Sequence, residues 1–314
     1  MSYYSSASPA NDATFNSLHG FEAQVIQGVA TSGTTYGSIS TALAAGHRSI
    51  YVHEGNYAEA VSITNTRTRI VCARPTAPSA GVLVSSLTIN ADYVHVKGLT
   101  VYQGGGNGCT MYGGSSYVLV EDCSFRECQN HGMQLCYNTV QQTINVYIRN
   151  CTIYDNGQSG VGDGIAFVEP GDMEVRATIE GCFIYSNDDD GINALRSSAT
   201  SVNHREITLL NNQIWANGLY GFRTGPNSSV HADGNHVSTN GSGGCYISNP
   251  AAANARSRII GNRFRSNGAY GVQLAASSDK IVVMGNQSEG HSSSNYYNCG
   301  SSPGYAVVNT NVSG

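Results

Sequence analysis

The stretch GCFIYSNDDDG, Gly181 to Gly191, decides how the rest of the chain reads. It holds a short alternating strand, then Asn187, three carboxylates and a glycine. The same pattern recurs as DCSFRECQNHG from Asp122, NCTIYDNGQSG from Asn150, NNQIWANGLYG from Asn211, GNHVSTNGSGG from Gly234 and GNRFRSNGAYG from Gly261. Each copy has Cys or Asn in second place and an apolar residue two further on. Five of the six then carry Asn (Asn156, Asn187, Asn217, Asn240, Asn267), and a Gly follows four residues later in all six (Gly132, Gly160, Gly191, Gly221, Gly244, Gly271).

The markers Cys123, Cys151, Cys182, Asn212, Asn235 and Asn262 lie 28, 31, 30, 23 and 27 residues apart. GLTVYQGG from Gly98 fits one coil earlier and MGNQSEGH from Met284 one coil later. Such a period, with short alternating strands and no helical periodicity, predicts an all-β, single-domain right-handed parallel β-helix of roughly eight to ten coils. Stacked turns place equal amides about 4.8 Å apart, so the Asn column predicts a side-chain ladder. Cys123, Cys151 and Cys182 predict an interior thiol stack.

Composition agrees. The chain has 314 residues with 37 Gly and 19 Tyr, is 40% apolar and only 12% charged, and describes a turn-rich β protein. Its net charge of −5 leaves no basic stripe for phosphates, so nucleic acid is not an expected partner. No apolar run reaches membrane length, and a basic start followed by an apolar stretch is lacking, so neither a membrane span nor a signal peptide is expected. Nine cysteines, most inside apolar strands, predict reduced packed thiols.

Ahead of the coils, TTYGSISTALAAGHRSIYVHEGNYAEAVSI predicts a helix from about Tyr36 to Ala45 covering the open solenoid end, then a strand from Ser49 to Val52. The expected layout is an N-terminal extension with capping helix over 1–48, the β-helix over 49–290, and a polar tail or cap over 291–314.

The capping helix followed by Tyr51-Val52-His53-Glu54-Gly55-Asn56-Tyr57 resembles the pectin-lyase-like superfamily, and the likeness extends over nearly the whole chain. That superfamily holds pectate and alginate lyases, polygalacturonases, mannuronan C5-epimerases and phage tailspikes. A local likeness to the epimerases runs from Tyr137 to Gly160. The family's Tyr/Phe-Asp-Pro-His-Glu motif falls here on Tyr137, Asn138, Thr139, Val140 and Gln141, without its Asp and His. Polygalacturonase motifs other than Asp-Asp are missing; the nearest echo is Asn130-His131-Gly132.

Outward residues of one sheet form columns, so site residues come from matching coil positions. One coil is ambiguous: counting gives Gly160 as its ladder glycine, but GDGIAF from Gly162 matches DDGINAL from Asp189 and gives Gly164. The second register, with a bulge absorbing four residues, avoids an unpaired buried carboxylate. It stacks Asp163 beneath Asp190, with His131 one coil before and Tyr220 one coil after. These four with Arg223 form the expected exposed catalytic set. Gln134, Asn193 and Tyr246, with Glu169 and Asp172 in an inserted loop, are the expected substrate contacts.

The resemblance implies an acidic, uronic-acid polysaccharide as substrate, cleaved by β-elimination or epimerised at C5. That chemistry needs a cation on the carboxylate, a base and an acid: Arg223 for the first, His131 or Tyr220 for the others. Asp163 and Asp190 are candidate ligands for Ca²⁺, and no cofactor is required. A non-catalytic carbohydrate-binding or structural β-helix, such as a phage fibre or spike module, is the alternative, with a homotrimer then expected. A glycoside hydrolase using the paired carboxylates is a further one. An extracellular or virion setting suits all three.

Overall fold

The computed structural model describes residues 20–73, 81–137, 144–167, 174–195, 205–225, 228–248, 256–275 and 281–298, and the backbone of the strands Val307–Asn309 and Val312–Ser313. Among these, three parallel sheets of 13, 11 and 10 strands wind through the chain, and each complete coil gives one strand to each sheet.

One coil shows why. In Val175–Glu180 of the first sheet, Val175, Ala177 and Ile179 are buried while Arg176, Thr178 and Glu180 face out. Two residues turn the chain into Phe183–Tyr185 of the second sheet, and a longer turn leads to Ile192–Ala194 of the third. Every strand stacks in parallel on the next coil, as Val175 on Arg205 through Glu180 on Leu210. The core is therefore a set of apolar stacks along the axis, such as Ile153, Ile184, Ile214, Val237 and Phe264.

The two-residue turn needs left-handed backbone, and Gly181 supplies it at φ 62°. Beside it runs the first marker column. The Asn212 amide donates to Asn235 Oδ1 at 2.9 Å, and Asn235 to Asn262 at 2.8 Å. The thiols continue the same column, with the Cys151 amide N–H donating to Cys182 Sγ at 3.4 Å. The predicted ladder runs from Asn156 through Asn187, Asn217 and Asn240 to Asn267, each amide donating to the next at 2.9 Å. The eight cysteines among the described residues are free and buried.

Both ends differ from expectation. The helix spans Ile39–Ala44, shorter than expected, because Ser38 caps it by accepting from the Thr41 N–H. Two strands, Ala23–Val25 and Thr35–Tyr36, already extend the first sheet before it, so the solenoid begins inside the expected extension. At the other end Ser294–Tyr297 pairs with Tyr270–Leu274, with Val272 opposite Tyr296. Tyr296 packs against the core, which carries the solenoid past the expected boundary at 290.

Candidate functional site

The register question has a geometric answer. Between Asn156 and Gly164 the chain is four residues longer than between Asn187 and Gly191, and Gly157 (φ 101°) and Gly160 (φ 86°) turn the surplus outward. The chain regains register at Asp163: Gly132 N–H donates to Asp163 O at 3.0 Å and Gly164 N–H to Asp190 O at 2.9 Å. Gly164 is the stacked glycine, and Asp163 lies beneath Asp190 as expected.

The side chains of this column do not stand out from the surface. His131 Nδ1 accepts from the Asp163 N–H at 3.0 Å, Asp163 Oδ1 from the Asp190 N–H at 3.0 Å, and Asp190 Oδ1 from the Tyr220 N–H at 2.9 Å. Asn107 heads the series, its Oδ1 accepting from the His131 N–H at 3.3 Å. Each side chain folds back onto the main chain of the next coil and satisfies a donor there. Asp163 and Asp190 are only 2% and 0% exposed, which corrects the expectation of two surface carboxylates.

The neighbouring strand column is what reaches solvent. Arg223 lies half-buried over Asp190, its Nη2 at 2.6 Å from Oδ2 but off the line a hydrogen bond needs, so the contact is chiefly Coulombic. The Asn193 amide donates to Asp163 Oδ2 at 3.1 Å. Gln134 is buried and accepts from the Asn107 amide. Ala166 stands between Gln134 and Asn193. Tyr220 lies 5.8 Å below the Arg223 guanidinium and 5.7 Å from the tilted ring of Tyr246, and its hydroxyl donates to Gln273 Oε1 at 2.9 Å.

Burial pushes the Asp163 carboxyl up to about 7, helped by the Asp190 charge and opposed by the hydrogen bonds it accepts. Burial also raises Asp190 to about 6, against the pull of Arg223. His131 is lowered by burial, so it is neutral near pH 7. Its Nδ1 is occupied as an acceptor, which leaves the ring proton on Nε2. The 3.3 Å approach of Nδ1 to Asp163 Oδ2 is then a contact of two acceptors, and a proton on Asp163 relieves it.

Three expectations change. His131 and Arg223 stand three coil spacings apart along the backbone, about 14 Å, with the Arg223 guanidinium reaching back one coil to Asp190, so His131 is not placed beside Arg223 as expected. Asp163 and Asp190 stand one spacing apart, about 4.8 Å, short of the 6.5–9.5 Å an inverting hydrolase needs. Ca²⁺ asks for six or more oxygens, whereas these carboxylates are turned onto backbone N–H groups with Arg223 against one of them, so the pair does not fit the ion. Among the described residues no group of three or more His, Cys, Asp or Glu could hold a metal.

Asp188 is exposed and Asp189 half-buried, as turn residues. Glu169, Asp172 and the motif positions Asn138 to Gln141 lie outside the described residues. Sequence reasoning missed Asn107, which heads the column, and the outer face of the first sheet, and it gave no role to Gln273, which lies in the outward column with Arg223 and Tyr246. The alternation of INVYIR, with Asn145, Tyr147 and Arg149 outward, was the available signal.

A family described as right handed beta helix region matches residues 28–207 and 162–288. No curated protein matches the chain. Among solved structures it is similar to the pectate lyase Pel9A, at 15% identity over 91% of this chain and 81% of that one, with a TM-score of 0.62. It is similar to ORF18 of Geobacillus virus E2 at 14% identity over 84% and 52%, with a TM-score of 0.53. It is also similar to the Azotobacter vinelandii mannuronan C-5 epimerase AlgE4 A-module at 14% identity over 88% and 89%, with a TM-score of 0.49. At these identities the likeness shows the fold.

Proposed function

The chain belongs to the right-handed β-helix family, and from that premise we propose that it is a carbohydrate-active protein that engages an acidic, uronic-acid polysaccharide along the third sheet. Arg223 carries this reading. Its guanidinium is anchored from below by a fully buried carboxylate and keeps 21% of its side chain exposed, a cation held in place for an anionic sugar. Tyr220 and Tyr246 beside it offer ring surface, and Asn193 a polar group, along the axis an extended polymer would follow. The pectate lyase of similar fold supports a polysaccharide as an analogy of fold. An extracellular or virion surface is the setting this implies.

Binding is the reading the geometry supports best, because His131, Asp163 and Asp190 already accept from backbone N–H groups and the Tyr220 hydroxyl is bound to Gln273. Lyase or C5-epimerase chemistry is the second reading. It is favoured by the two buried carboxyls raised to about 7 and 6 beside Arg223, a perturbation typical of reacting sites as well as of structural ion pairs.

The test is affinity electrophoresis in alginate, polygalacturonate and hyaluronate gels, with ultraviolet detection of unsaturated products in parallel. Retardation by at least one uronan, weakened by added salt and about tenfold by Arg223→Gln, is expected. Passage unretarded through all three sinks the proposal. Unsaturated product moves the assignment to a lyase; proton exchange at C5 without cleavage moves it to an epimerase. A trimer in solution would favour the fibre or spike form of the binding reading.

A further inference from the structure

The outer face of the first sheet holds an open groove of about 500 Å³, bounded by Tyr117 at one end and Glu206 at the other, with Asn145, Tyr147, Arg176 and Thr178 between. Stacking of four coils builds it. Val118 opposite Val146 sets Tyr117 beside Asn145, then Asn145 faces Arg176 and Arg176 faces Glu206.

Tyr117 is held there at a cost. It and Tyr93 have φ of 58° and 57°, and they are the two aromatic residues among the described non-glycine positions with left-handed backbone. A bulky side chain is strained in that region, where Gly or Asn would sit freely. Neither ring repays the strain by entering the core, since Tyr93 is 54% and Tyr117 60% exposed. They stack on each other, centroids 4.9 Å apart and 7° from parallel. Tyr93 covers one face of Tyr117, and the other face looks along the axis over the shorter Asn145 into the groove.

Both cations of the groove are already paired, so no free positive charge is left for an acidic ligand. Arg149 meets Glu121 at 2.7 Å, Arg176 meets Glu174 at 2.7 Å and Glu206 at 3.9 Å, and the Tyr147 hydroxyl donates to Glu180. A bare aromatic face next to amide, hydroxyl and paired charged groups suits a ligand with one apolar face and many hydroxyls and no net charge.

We propose that this groove is a second saccharide-binding site, for a neutral hexopyranose chain whose C–H face stacks on Tyr117 and whose hydroxyls bond to Asn145, Thr178 and the Arg176–Glu206 pair. It lies on a different sheet from Arg223 and does not rest on the reading of that site.

Titration calorimetry with cellotetraose, maltotetraose, mannotetraose and tetragalacturonate tests it on the full chain. Binding of at least one neutral tetrasaccharide is expected. Tyr117→Asn should weaken it about tenfold while the melting temperature holds or rises, because Asn accepts left-handed backbone. Tyr117→Phe keeps the ring and should keep the affinity. The proposal is overturned if no neutral tetrasaccharide binds, if only tetragalacturonate does, or if Tyr117→Phe loses as much as Tyr117→Asn.

Discussion

Replacing Asp163 by Asn should stabilise the protein above neutrality and do little in acid. The carboxyl is 2% exposed and its pKa is pushed from 3.8 to about 7, chiefly by burial. A folded pKa above the unfolded value means that the folded state holds the proton more tightly. Stability is then full below the unfolded pKa and is lost as pH rises from about 4 to about 7. Three pKa units correspond to about 4 kcal/mol, and to less where Asp163 and Asp190 titrate as one unit. For a chain of this size that is a shift in melting temperature of roughly 3 to 6 °C.

Asn at 163 can keep the oxygen that accepts the Asp190 N–H at 3.0 Å, but it takes from the Asn193 amide the acceptor it has on Oδ2 at 3.1 Å, a loss of about 1 kcal/mol that is the same at every pH. Melting curves followed by circular dichroism across that pH range, for both proteins, give the difference directly. The expected result is a midpoint for Asp163→Asn slightly below that of the wild type near pH 4, by the lost Asn193 bond, and above it near pH 8. A wild-type curve parallel to that of the variant, or a variant destabilised equally at both ends, would refute a buried, proton-hungry carboxyl at this position.

Arg223→Ala strands Asp190 without its cation and should cost about 3 kcal/mol near pH 8, less in acid where Asp190 is protonated. Urea titration should show stability restored when Asp190→Asn is added to the same chain. Asn217→Ala removes the acceptor of the Asn187 amide at 2.9 Å and the donor to Asn240 at 2.9 Å, and should lower stability by about 3 kcal/mol in the same assay. Gly191→Ala would bring a Cβ within 2.5 Å of Gly221 O and 2.9 Å of Asn217 Nδ2, so it should destabilise more than Asn217→Ala or prevent folding, read from soluble yield. The His131 imidazole should titrate below its ordinary 6.5 by NMR, contributing stability that is lost as pH falls, opposite in sense to Asp163.

Much of the fold is legible because a solenoid repeats its constraints. Asn in the inner turn, Gly four residues later and the two-residue period of the strands each recur often enough to fix the coil, its sheets and the columns. They even resolve the broken coil, where the likeness of GDGIAF to DDGINAL outweighs the count and the chain returns to register at Gly164. The ends are less legible, since Ala23–Val25 joins a sheet without the turn residues of a coil, and the coil that ends in Ser294–Tyr297 keeps the marker Asn286 but has His291 where the ladder Asn would stand.

The sequence by itself determined which residues share a column: His131, Asp163, Asp190 and Tyr220 in one, Asn193, Arg223 and Tyr246 in the next. Only the tertiary structure decided which of them meet solvent. A turn side chain finds an N–H one coil away and folds onto it, so Asp163 and Asp190 are buried and Arg223 becomes the exposed charge above them. The backbone donor that draws each carboxylate inward belongs to a residue 27 or 30 positions further on, and stacking alone brings it there.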